Sequence, residues 1–344
     1  MNTRNNEVDI LKGILTIGMV FAHTVQILEG SNNPILKAAS ILTNLVSFSG
    51  FLGCFGFACW MAYLSKESIP WKKVIPTTLK CYLAFVLSGI AYRYFVSGAN
   101  ADFTLFRRVL ALRDIPGYSE FLIAFSLITL SSVLLAPFLR FLVFDVRRVA
   151  FFSLIILFLS QILPKTLRYD PFVGLFLGGS GFAYFPVLLY SPIFVLGAWV
   201  ARSKHQYNLI AMVVSMAGVL AFVVLTLKHH PINRFPPGAI WVICSSSMVY
   251  IYYGVARFIA HKSPRWIRLY LNSVGQNVLL YLLATNIALF LCCALGLQHP
   301  FTAGKTITTF FLLMGVIYFF QFISIDLQRA NKSLQPTAPA RSAK

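Results

Sequence analysis

Three ionisable side chains near the N-terminus stand where chemistry is possible. Asp9, Lys12 and His23 fall within or at the edge of one apolar run, Ile10–Leu28. Ionisable groups in a run of membrane-spanning length are functional candidates by default. Lys12 and His23 are eleven positions apart. On an α-helix that is three turns plus roughly 20°, so they share a face with about 16 Å of rise between them. Asp9 lies three residues before Lys12 on the same stripe, and Thr16, Met19 and Gln26 continue it. Imidazole is the usual general base near neutral pH and can deprotonate a hydroxyl for attack on an activated acyl group. An ammonium some distance down the same face suits the phosphates of a long co-substrate such as acyl-coenzyme A. Taken singly, Asp9 and Lys12 could form an interfacial ion pair and His23 could be a packing histidine. Their alignment favours a lined cavity.

The elements that must position these groups are membrane helices. Of the 344 residues, 58% are hydrophobic and 11% charged, and mean hydropathy is +0.75. A soluble domain is about 45–50% apolar and about 25% charged, so a soluble enzyme, a disordered chain and a disulfide scaffold are excluded. A spanning helix needs roughly 20 apolar residues. Ten runs of that kind are predicted: Ile10–Leu28, Ile41–Leu64, Val74–Val96, Phe121–Phe144, Val149–Leu163, Pro186–Ala201, Leu209–Leu227, Gly238–Ala260, Val274–Leu297 and Thr306–Leu327. The expected fold is an all-α integral membrane protein, with residues 1–329 forming the transmembrane domain. The polar, Pro/Ala/Ser-rich segment 330–344 is expected to be a disordered tail. Net charge is +19, which in a membrane chain points to orientation rather than nucleic acid. With ten spans both termini share a side, and about two thirds of the 29 Lys and Arg residues fall on it. That places both termini in the cytoplasm. Acid at Glu7 and Asp9 ahead of the first run argues for a retained helix and not a cleaved signal.

The segment Asp9-Ile10-Leu11-Lys12-Gly13-Ile14, continued by Val20-Phe21-Ala22-His23, resembles the opening helix of the acyltransferase 3 family of membrane acyltransferases. The family signature there is Arg or Lys, ten residues, then His. Ser47-Phe48-Ser49-Gly50-Phe51-Leu52, Lys72-Lys73-Val74-Ile75-Pro76, Arg234-Phe235-Pro236-Pro237 and Gly275-Gln276-Asn277 resemble later family segments in order. The likeness covers residues 5–325. Val278–Ala284 lacks a serine and a histidine often found in the family's late span, and no Trp opens the fourth span. The resemblance implies transfer of an acyl group, commonly acetyl, from acyl-CoA as co-substrate to a hydroxyl of a carbohydrate or lipid-linked glycan at the outer face of the inner membrane. His23 would be the base. Lys12, with Lys72 and Lys73, would hold the CoA phosphates, and Asp9 would orient Lys12. Among bases on the outer side, Arg93 and Arg234 could bind an anionic acceptor.

Other signals are weaker. The glycine-rich stretch from Gly174 to Gly181 lacks the lysine of a phosphate-binding loop and reads as a flexible or re-entrant loop. His229-His230 has no acidic or cysteine partner nearby, so no metal site is expected. A histidine–asparagine pair between His23 and Asn286, like that of other membrane O-acyltransferases, is suggested by residue types alone. A polar stripe in a membrane helix can also line a transport path, so a polytopic transporter is the rival class. A membrane scaffold is a third.

Overall fold

A computed structural model describes residues 5–162, 170–178, 185–204, 207–228, 237–297 and 299–333, the side chains of 160, 161 and 324–333 excepted. Among the described residues the chain is helical throughout. In order the helices are α1 (Asn6–Leu28), α2 (Pro34–Cys59, closing in a π-helical turn, Trp60–Leu64), α3 (Trp71–Phe95), α4 (Phe103–Leu110), α5 (Glu120–Leu134), α6 (Ala136–Leu142) and α7 (Val146–Ile162). Then come α8 (Pro171–Leu177), α9 (Val187–Ser203), α10 (Leu209–Leu227), α11 (Ala239–Lys262), α12 (Arg265–Gln276), α13 (Val278–Ala294) and α14 (Ala303–Ser333). Among the described residues the one extended pairing is an isolated parallel bridge between Glu29 and Phe301.

Among the described residues six helices are long and apolar enough to cross a membrane: α1, α2 with its π turn, α3, α10, α11 and the first part of α14. Counting the bent pairs α5–α6 and α12–α13 as one span each gives eight. This is a multi-pass membrane protein. The other two expected spans correspond to α7 and α9, each of 17 residues, short for a bilayer of ~30 Å.

Helix starts follow ordinary capping chemistry. The Asn5 side chain accepts the amide N–H groups of Glu7 and Val8, and Asn33 those of Ile35 and Leu36, just ahead of Pro34. These satisfy amides that a helix leaves without an internal partner. α1 then runs through the interior. Two thirds of its apolar window (67%) is buried, against 11% for α10. It packs on α2, α11, α12, α13 and α14.

Small residues allow the closest crossings. A Cβ at Gly13 would stand 2.2 Å from the Leu271 carbonyl oxygen, and one at Gly275 only 1.9 Å from that of Asp9. So α12 lies backbone against backbone on the first turns of α1. The α2–α9 crossing is built the same way, with Gly56 against the Phe194 carbonyl and Gly197 against that of Gly53.

Several boundaries differ from those read in the sequence. The fourth run breaks at Leu135 and turns by 86° into α6. Pro137, in the first turn of α6, has no N–H to carry the α5 ladder onward. In the ninth, Val274 and Gly275 belong to α12, which meets α13 at 75°. The break is at Asn277, whose side-chain amide donates to the Ser273 carbonyl at 2.9 Å. Hydropathy averages across both breaks and does not see them. The glycine-rich stretch opens as helix α8, capped by Asp170, and ends at Gly178 with φ +81°; residues 179–181 lie outside the described residues. α14 continues through Ser333, so its last turn takes in residues 330–333 assigned to the tail. Residues 334–344 lie outside the described residues.

Candidate functional site

His23 sits on the buried face of α1, 8% exposed. Its Nδ1 lies 3.1 Å from Oδ1 of Asn286 on α13. Asn286 is itself 1% exposed. Its Nδ2 donates to the Tyr118 carbonyl at 2.9 Å and to the Ser88 hydroxyl at 3.2 Å. Ser119 donates to Ser88 at 3.2 Å. These bonds order the whole chain of donors. A carbonyl can only accept, so the face of Asn286 toward Tyr118 must be the NH₂. Its oxygen then faces His23, and the histidine must donate from Nδ1. In the neutral ring Nε2 is therefore the basic nitrogen. The amide orients the imidazole as a carboxylate would, without adding a charge to a buried site.

Tyr118 shapes the other side. Its φ is +62°, a left-handed conformation rare for a bulky residue and costing about 1–3 kcal/mol. That twist lets one residue contribute twice. Its carbonyl accepts from Asn286, and its ring meets His23 edge-on at 4.9 Å between centroids. The loop holding it is pinned by Arg93 on α3, whose Nε and Nη2 donate to the two carboxylate oxygens of Asp114 at 3.0 and 2.5 Å. Asp114 is buried, and a bidentate pair of this kind is geometrically specific.

His23 lines a cavity of about 350 Å³, within the usual range for small-molecule sites. Aromatic rings, among them Phe48, Phe51, Phe121 and Tyr118, make up much of its wall. Its polar lining includes Gln26, Asn44, Ser47 and Glu120. Glu120 is a buried carboxyl at the first position of α5. A second cavity of about 460 Å³ adjoins the first, with Gln26 and Asn44 lining both. Trp241, Lys37, Asn32 and His299 contribute to its wall. Asn32 and His299 both have positive φ, 56° and 55°. Backbone bonds from His299 to Ile27, Phe301 to Leu28 and Gly30 to Phe301 lace this end of α1 to the segment before α14. Beside it, the Ser31 hydroxyl bonded to Glu29 holds that carboxyl below the usual carboxylate range.

The other end of the stripe is arranged differently. Lys12 Nζ is 2.6 Å from the Asp9 carboxylate, with side-chain exposures of 22% and 4%. Nearby on the same turns, Glu7 accepts from Tyr253 at 2.7 Å and meets His261 at 3.0 Å and Arg257 at 4.0 Å. The His23 cavity reaches Met19 but not Thr16 or Lys12. Thr16 is fully buried and donates to the Lys12 carbonyl at 2.7 Å. At this level Leu15 seats on Gly50 of α2 and the two helices close up. The stripe is thus an ion pair at one end and a cavity at the other, with a sealed seam between.

The remaining predicted residues divide. Lys72 and Lys73 are exposed on the first turn of α3, which packs mainly on α5 and α13. Arg93 pairs with Asp114, in the loop that carries Tyr118. Arg234 and His229-His230 lie outside the described residues. Glu120, Tyr118 and Ser88 were not singled out from the sequence. Glu120 had a visible signal, being one of only ten acids and standing at the head of an apolar run. The other two had none, since their role arises from a loop conformation and a helix contact. All six cysteines are free thiols. Set against family models, curated proteins and solved structures, the chain matches none.

Proposed function

We propose that this protein is a multi-pass O-acyltransferase of the inner membrane, moving an acyl group, acetyl in the simplest case, from acyl-CoA to a hydroxyl of a carbohydrate or glycolipid. The observation that carries this reading is the His23–Asn286 pair at the wall of a partly polar cavity. Nε2 of His23 takes the acceptor's hydroxyl proton as its oxygen attacks the thioester carbonyl. The C–S bond breaks, and the imidazolium returns the proton to the coenzyme A thiolate. The adjoining cavity, with its amides, Lys37 and the Trp241 ring, gives the acceptor room. Lys12, oriented by Asp9, meets the CoA phosphates at the cytoplasmic end, and Lys72 and Lys73 add charge on that side. The lysine and histidine are about 16 Å apart along α1, so the acyl arm must part the Leu15–Gly50 seam to reach His23. This reading also takes α7 and α9 as short spans, giving ten crossings with both termini in the cytoplasm.

The test uses the purified protein in liposomes with radiolabelled acetyl-CoA, following coenzyme A release and label transfer. Wild type is expected to turn over, slowly to water when no acceptor is supplied. His23→Ala should lose at least a hundredfold in rate, the scale of a general base. Lys12→Ala should chiefly raise KM for acetyl-CoA. Full activity in His23→Ala would sink the site assignment. Glycan flux without acylation would establish the transporter reading instead.

A further inference from the structure

We infer that α12 is a binding site for anionic phospholipid headgroups, at the membrane face where α1 begins. Its placement is geometric. α12 turns 75° away from α13, an apolar helix of the membrane domain; with α13 crossing the bilayer, α12 runs near the membrane plane. Its level is set by contact with the first turns of α1, where Gly275 meets Asp9 and Gly13 meets Leu271. Arg265 is exposed at its start, which excludes hydrocarbon depth for that end.

One side of α12 packs on the bundle and the other, with apolar and basic residues together, is exposed. Leu271, Val274 and Gly275 are buried against the bundle. Trp266 is 70% exposed and Leu269 57%, one turn apart on the outer side. Indole and leucine facing outward at this level belong among headgroups and the first methylenes. Beside them stand Lys262 and Arg265, both exposed. From Arg257 to Gln276 the sequence holds four basic residues besides His261, namely Arg257, Lys262, Arg265 and Arg268, and no acid. The acid that reaches this region from α1, Glu7, is taken by Arg257 and His261. Arg268 donates to the Ala260 carbonyl at 3.2 Å. Among the described residues no ion pair engages Lys262 or Arg265. Two exposed cations close in sequence to two exposed apolar side chains complement one anionic lipid, phosphate on the bases and acyl chains past the indole. The occupant would brace the same backbone contact that holds the Asp9–Lys12 turn.

The test is native mass spectrometry and thermal unfolding of the full chain, in vesicle-derived nanodiscs of phosphatidylcholine with and without phosphatidylglycerol. Wild type should retain phosphatidylglycerol over phosphatidylcholine and unfold at higher temperature when it is present. Each exposed base near an anionic surface contributes about fivefold in binding, so K262Q/R265Q should lose about 25-fold of the preference. W266A/L269A should weaken retention of both lipids. Unchanged unfolding of the variants in neutral detergent shows that they fold. Equal retention of the two lipids by wild type, or an undiminished preference in K262Q/R265Q, would overturn the assignment. So would protection by free phosphate or coenzyme A in place of lipid. None of these readouts depends on acyl transfer.

Discussion

At the residue scale the central unit is an imidazole with its tautomer set by an amide. Asn286 cannot turn over without placing its NH₂ against Nδ1 and its oxygen against the Tyr118 carbonyl, so the orientation is held from both sides. On the proposed chemistry Asn286 is a positioning residue. Asn286→Ala should lower kcat for acyl transfer about a hundredfold, the cost of a misplaced catalytic group, with KM for acetyl-CoA little changed. Arg93 illustrates the opposite lesson. A base predicted to meet an acceptor is held by a buried carboxylate, and its influence on the site passes through the Asp114 loop to Tyr118.

At the element scale α1 is the helix on which α2, α11, α12, α13 and α14 pack. Its position depends on two glycines where α12 crosses it. Gly275→Ala would put a methyl 1.9 Å from a backbone oxygen that cannot swing aside. Overpacking of this kind costs about 1–3 kcal/mol or more, and the variant should unfold at distinctly lower temperature in detergent. Gly315, in the middle of α14, is the control, since a Cβ there would meet nothing within 4 Å. Gly315→Ala should raise stability by about 0.5–1 kcal/mol, the helix preference of alanine over glycine. Equal effects at the two positions would mean that the α1–α12 contact is looser than described. The breaks at Leu135 and Asn277 belong to this scale too. Each lays a short helix across the end of a longer one.

At the scale of the whole molecule the arrangement is a helical bundle around α1, with one end of that helix charged and the other opening into cavities. The uneven distribution of Lys and Arg predicts that both termini share the cytoplasmic side. Reporter fusions at each terminus check this: alkaline phosphatase should be inactive, and a cytoplasmic fluorescent reporter bright, at both. An active phosphatase at one terminus alone would mean an odd number of crossings, and α7 or α9 would then be the helix to remove from the count.

Much of this was legible in the sequence because membranes impose simple rules. Apolar length and charge bias identify the class, and helical periodicity aligns Asp9, Lys12 and His23 without any tertiary information. The His23–Asn286 pair was suggested by residue types, but with 263 positions between the two residues nothing in the sequence says that they touch. Glu120 left a trace as an acid at the head of an apolar run. Tyr118 left none, because a left-handed φ in a loop is imposed by its surroundings and not by its own preference. Periodicity places side chains on a face of one helix; it is silent on which other helix covers that face. The seam at Leu15 and Gly50, the cavity beyond it and the tautomer of His23 are decided by packing between elements far apart in the chain, and only the tertiary structure holds them.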